Sequence, residues 1–129
     1  MIVCAYTLNR WDEMTAALRS AAEQVPPPTE VILVVDHNPE LFMRAQREFS
    51  GVRVVESTGM RGLSGGRNTG LHIATGEIAV FLDDDAEADP GWLAALVAPY
   101  EDERVIGTGG KALPIWETGR PRWMPDEFD

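Results

Sequence analysis

The stretch Glu30 to Asp36, EVILVVD, is almost unbroken in apolar residues and ends on a carboxylate. A strand with one face in water alternates apolar and polar residues, whereas one covered on both faces does not, and the second case is the interior of a parallel sheet. Parallel neighbours need long crossover connections, usually helical. The flanking sequence supplies them. Ile2 to Tyr6 reads as a first strand, and Asn9 as the N-cap of a helix with Asp12 and Glu13 in its first turn. Trp11, Met14, Leu18, Ala21 and Val25 recur there at helical spacing until Pro26-Pro27-Pro28 stops the pattern.

The alternation continues. Asn38-Pro39 is a cap followed by an N1 proline, opening a helix with Leu41, Phe42, Ala45 and Phe49 before a third strand, Val52 to Glu56. Gly59 to Gly76 begins as loop and turns helical near Ser64, with Gly76 as its stop. Glu77 to Leu82 is a fourth strand, Asp89-Pro90 starts a helix bearing Trp92, Leu93, Leu96, Val97 and Tyr100, and Arg104 to Gly109 reads as a fifth strand. Beyond Gly110 no period is evident. The expectation is a single α/β unit in 129 residues, its sheet mostly parallel with helices on both faces.

Charge and cysteine content narrow the partners. The 11 Lys+Arg against 21 Asp+Glu leave −10 at pH 7, which repels nucleic acid and anionic lipid, so neither is expected as a partner. Cys4 is the one cysteine and cannot form an intramolecular disulfide; in an apolar strand it reads as a small buried hydrophobe. No apolar run approaches the roughly 18 residues of a membrane span, and the first residues lack the pattern of a signal peptide. A cytoplasmic setting is expected.

Asp83-Asp84-Asp85, directly after an apolar strand, carry the chemistry. Adjacent carboxylates repel and must be solvated or neutralised by a cation. Alternation puts Asp83 and Asp85 on one side and Asp84 on the other for as long as strand geometry lasts. Such hard oxygens at a strand end suit Mg²⁺ or Mn²⁺ bridging a diphosphate, and a solvated acidic turn is the alternative. Gly65, Gly66 and Gly70 each cost about 1 kcal/mol relative to alanine in a helix, so a bare backbone is needed there. Either an anion site with Arg61 and Arg67, or close helix packing, would need it. The segment is no Walker A loop, and no G-x-G-x-x-G follows the first strand. Asp36, at its strand tip, could accept from a ribose hydroxyl or a base N–H, or start a turn. His37 and His72 have no metal-ligand spacing, and Trp116 and Trp123 are sugar platforms or simple packing.

The order Ala5-Tyr6, then VVD at Asp36, GLSGGRN at Gly62 to Asn68, ATGE at Ala74 to Glu77, FLDDD, and PGWL at Pro90 to Leu93 resembles the nucleotide-sugar half of a family 2 glycosyltransferase. The likeness extends from Ile2 to Gly110. It implies a Rossmann-like GT-A nucleotide-binding sheet, with residues 1–110 as the donor-binding domain. It also implies that Ala5, Tyr6, Asp36, Arg67, Asp83 and Asp84 contact the nucleotide, and that Asp83 and Asp85 form the D-x-D pair holding Mn²⁺ or Mg²⁺, with Asp85 the direct ligand. The activity so implied is inverting transfer of sugar from a nucleoside-diphosphate donor to the hydroxyl of an unknown acceptor.

Departures from the pattern are Ala5 where proline is frequent, the long first loop Tyr6 to Arg10, and His37 where an acidic residue is usual. On this reading the chain is truncated. Residues 111–129 are an irregular tail toward a missing acceptor-binding half, and the general base falls beyond residue 129, since Asp126, Glu127 and Asp129 come too early. Apolar surface left near the tail would be exposed or covered in a homo-oligomer. A non-catalytic nucleotide-sugar-binding module is the rival expectation.

Overall fold

The computed structural model describes residues 1–116 and 118–125. Strand β1 (Ile2–Ala5) leads through a 3₁₀ turn at Leu8–Arg10 into α1 (Trp11–Ala22), then β2 (Ile32–Val35), α2 (Pro39–Glu48), β3 (Arg53–Glu56), α3 (Leu63–Ile73), β4 (Phe81–Asp83) and α4 (Trp92–Val97). All pairings are parallel in the order β3-β2-β1-β4. Register places Ile2 beside Ile32, Ala5 beside Val35, and Cys4 beside Asp83.

Side chains of alternate residues leave a strand on opposite faces, and both faces are covered here. Val3, Ala5, Leu33 and Val35 meet Met14, Ala17, Leu18 and Ala21 of α1, Leu41 and Ala45 of α2, and Leu93 of α4. Ile2, Ile32 and Val34 form the other core, with Ile73 at the end of α3. All of β2 is buried, as its unbroken apolar run requires. Among the described residues no helix is long and apolar enough to cross a membrane.

The glycines of α3 serve close packing. A Cβ at Gly70 would lie 2.6 Å from Ile2 Cγ2 and 3.3 Å from Val34 Cγ2, and one at Gly66 would lie 3.2 Å from the Cys4 sulfur. At Gly65 it would overlap the Met60 carbonyl oxygen. Two of these glycines face the sheet and one the loop before the helix, so α3 lies tight against both.

Several boundaries differ from the sequence reading. Thr7, rather than Asn9, accepts a capping bond, from the Asn9 N–H at 3.2 Å. Val25 lies beyond the end of α1 and is 73% exposed. Asn38 does cap α2, accepting from the Leu41 N–H at 3.0 Å. Helix α3 ends at Ile73, before Gly76, and β4 starts at Phe81 rather than Glu77. Gly91, in a left-handed conformation (φ 85°), precedes α4, while Asp89 gives only its carbonyl, to the Trp92 N–H.

The fifth strand at Arg104 to Gly109 does not form: only Val105 and Ile106 are apolar before a glycine-rich run, and Ile106 is fully exposed. Thr108 instead donates to the Leu96 carbonyl at 2.9 Å. The described tail has no helix or strand and exposes Leu113, Ile115 and Trp123. Asp126, Glu127 and Asp129 lie outside the described residues.

Two predictions follow from these contacts. Gly65→Ala gains helix propensity of about 1 kcal/mol yet forces backbone apart, so it should destabilise by about 1–3 kcal/mol in urea unfolding; a stabilised variant would contradict the packing. Glu30 accepts from the Thr75 N–H and hydroxyl, with Arg53 at 3.6 Å, tying the approach to β2 to the chain just after α3. The Thr75 backbone and side-chain bonds hold its carboxyl below its ordinary value of 4.5. Its contribution is therefore complete above that value and fades as pH falls through the lower folded one. Glu30→Gln should be less stable than wild type at pH 7, and the gap should narrow as pH falls below the carboxyl's ordinary value.

Candidate functional site

From β1 the chain builds outward on one side to β2 and β3, then returns to place β4 on the other side of β1. Helices α1 and α4, which follow β1 and β4, pack on one face and α3, which leads into β4, on the other, and the carboxyl ends of β1 and β4 border a crevice, the usual ligand position in open α/β sheets. A cleft of about 620 Å³ opens there. It brings together Ala5 at the end of β1 with Tyr6 after it, Asp36 after β2, Arg61 and Gly62 before α3, and Asp83 to Asp85 at the end of β4. Arg67 stands one turn into α3, 3.2 Å from Asp83 and over the Phe81 ring. His72, on the exposed side of α3, donates to the Asn68 carbonyl and takes no part.

Strand geometry ends at Asp83, so the three carboxylates do not simply alternate. Asp83 is exposed toward Arg67, whereas Asp84 turns inward to 6% exposure. Arg10 Nη1 lies 3.2 Å from Asp84 Oδ1 and 3.0 Å from Asp85 Oδ2. The second oxygen of Asp84 is buried with no hydrogen-bond partner among the described residues. Burial raises this carboxyl above its ordinary range, against the pull of Arg10.

The sequence reading passed over Arg10, although a signal existed. A cation at a helix start opposes the helix dipole, and Arg10 begins α1 with no capping bond from its side chain. It must find carboxylates elsewhere. The far end of α1 also grips the loop after β4. Gln24 Nε2 donates to the Asp89 carbonyl at 2.9 Å and its Oε1 accepts the Leu93 N–H at 2.9 Å, while Ser20 Oγ accepts the Ala88 N–H at 3.0 Å.

On the opposite wall, Asp36 Oδ2 accepts the Gly62 N–H at 2.8 Å and Oδ1 accepts from His37 Nδ1 at 2.6 Å. Burial alone would raise its pKa, but the His37 and Gly62 bonds together outweigh burial and keep the carboxyl below its ordinary value. His37 holds a left-handed backbone (φ 52°), as does Gly62 at 116°, where a side chain would be strained. Asn38 donates to the Tyr6 carbonyl at 3.0 Å, linking the cap of α2 to the loop after β1. Cys4, on the cleft floor, has its thiol pushed up to about 11 by burial, which makes it a poor nucleophile.

Among the described residues no three His, Cys, Asp or Glu side chains form a ready-made metal cage. The donor set fits a different kind of site. Mg²⁺ and Mn²⁺ take one or two carboxylates and complete their shell from phosphate and water, and Asp83 and Asp85 expose such oxygens to the cleft. The unpartnered Asp84 oxygen marks this floor as short of positive charge.

Comparison with known proteins adds to this geometry. The family model described as Glycosyl transferase family 2 matches residues 2–127. A glucosyl-dolichyl phosphate glucuronosyltransferase of Haloferax volcanii is 33% identical over 99% of this chain and 42% of its own length, so the chain spans about two fifths of that relative. The crystal structure of S. aureus TarS 1-349 superposes with TM-score 0.54 and 26% identity, covering 78% of this chain and 32% of TarS. The same protein in complex with UDP-GlcNAc gives TM-score 0.53 and 25% identity, over 78% of this chain and 31% of that one.

The grip of α1 on the loop after β4 is testable. Gln24→Ala removes its bonds and leaves the Leu93 N–H without a partner, while the Asp89 carbonyl keeps the Trp92 N–H, which should cost about 2 kcal/mol in urea unfolding. A change within experimental error would show that the loop is held without Gln24.

Proposed function

The chain belongs to glycosyl transferase family 2, and we propose that its carboxyl-edge cleft binds the nucleoside diphosphate of an activated sugar donor. The observation that carries this reading is the convergence of Asp36, Arg61 and Asp83 to Asp85 on one crevice between β1 and β4. Residues 1–110 are the donor-binding domain, and 111–129 lead toward the acceptor side. Inverting transfer to an acceptor hydroxyl is the reaction that this donor site would serve. The UDP-GlcNAc complex of TarS supports the choice of donor class.

Each wall has a separate task. Ala5 and Tyr6 border the nucleoside, and Asp36, held ionised, accepts from a ribose hydroxyl or base N–H. Arg61 and the positive end of α3 at Gly62 and Leu63 border the cleft, where they favour an anion such as diphosphate. Arg67 orients Asp83 from α3, 3.2 Å away. Asp83 and Asp85 would hold a divalent cation, Mg²⁺ or Mn²⁺. When bound, such an ion supplies Lewis-acid stabilisation of the charge that develops on the leaving diphosphate.

The setting we propose is cytoplasmic, which suits the single unpaired Cys4. The exposed Leu113, Ile115 and Trp123 would be covered by further chain or by a second copy of this one.

Calorimetric titration of the full chain with uridine, adenosine and guanosine diphosphates, each with and without Mn²⁺, tests the proposal. At least one should bind, about tenfold or more tighter with Mn²⁺. Asp85→Asn should abolish the enhancement with little change in melting temperature, and Asp36→Ala should weaken binding in either condition. Binding that ignores both substitutions and the metal would refute the assignment.

A further inference from the structure

Arg10 makes two contacts of unequal kind. Asp84, at 6% exposure, is a carboxylate that folding has withdrawn from water, and removing its partner would leave a buried charge without compensation. Asp85 has a side chain 49% exposed, and an ion pair to so solvated a group contributes little to stability. Both carboxylates nevertheless meet the same nitrogen, Nη1. Neutralising Asp84 explains one contact but not the other.

Other cations cannot do this work from where they stand. Arg67 approaches from α3, on the opposite face of the sheet from α1, and is engaged by Asp83 and by the face of Phe81. Arg61 lies on the wall with Asp36, where its charge favours that carboxylate. The charge of Asp85 is therefore balanced by Arg10 alone among these arginines. That guanidinium is fixed at the start of α1, where the helix dipole does not favour it.

Building on the donor-site reading above, we propose that Arg10 is the charge-balancing, positioning residue of the cleft. It keeps hold of the buried Asp84 and yields Asp85 to an incoming divalent cation. By this exchange it lowers the affinity for free cation and raises the affinity for nucleoside diphosphate in the absence of metal. The cleft is thereby kept from filling with metal before donor arrives.

The two affinities must then move in opposite directions when the charge is removed. In the full chain, Arg10→Ala should bind Mn²⁺ alone about fivefold more tightly, read by electron paramagnetic resonance of the free ion. It should bind metal-free uridine diphosphate about fivefold more weakly, the scale of one exposed charge pair. Arg10→Lys, which keeps the charge but not the planar fork, should shift both in the same senses by less, and decides the matter if the alanine variant does not fold.

A merely structural arginine would weaken both ligands together, and an irrelevant one would change neither; either result overturns the proposal. Should the wild type bind none of the three nucleoside diphosphates, the donor reading fails first. The Mn²⁺ titrations would then still show whether Arg10 competes for Asp85.

Discussion

Everything at the carboxyl edge depends on β1 pairing with β2 on one side and β4 on the other. This arrangement gathers the loop after β1, the tip of β2 and the acidic turn after β4 around one crevice. Its register sets Cys4 opposite Asp83, so the last hydrogen-bonded step of the sheet delivers the first carboxylate to the rim. A slip by one residue would exchange the two faces of the strand. Val3 and Leu33 would then face α3, where only glycine fits against Ile2 and Val34.

The helices do more than cover the sheet. Arg10, just before α1, reaches the acidic turn, and Ser20 and Gln24 near its other end hold the loop from Ala88 to Leu93, while α3 supplies Arg67 to Asp83 and the Gly62 N–H to Asp36 through its preceding residue. Carboxylates so placed are costly unless compensated. The structure compensates them with arginines and backbone N–H groups, and among the described residues leaves one buried oxygen of Asp84 unmatched. That unmatched oxygen suits this side of the cleft to a cation, while Arg61 and the start of α3 favour an anion on the other side.

The sequence made parts of this legible for identifiable reasons. The run at Ile32–Val35 could only be an interior strand, and Asn38-Pro39 could only begin a helix, because each signal is local and steric. The requirement for bare backbone at Gly65, Gly66 and Gly70 was visible, although its cause was not. The atoms that demand it belong to Ile2, Cys4, Val34 and Met60, which become neighbours only once α3 crosses the sheet. For Arg10 the place at a helix start was a local signal, but its partner was hidden for the same reason, since Asp84 is 74 residues away along the chain. The fifth strand failed in the other direction: Val105 and Ile106 have strand propensity, but two residues before glycines bury too little to fix a strand.

The most direct test of the account is a crystal structure of the full chain grown with a nucleoside diphosphate and Mn²⁺. The account predicts the diphosphate between the ends of β1 and β4, with manganese on Asp83 and Asp85 and Arg10 still on Asp84. Nucleotide lodged in the apolar hollow of about 450 Å³ beside Pro26 to Pro28, with the three aspartates bearing only water, would contradict it.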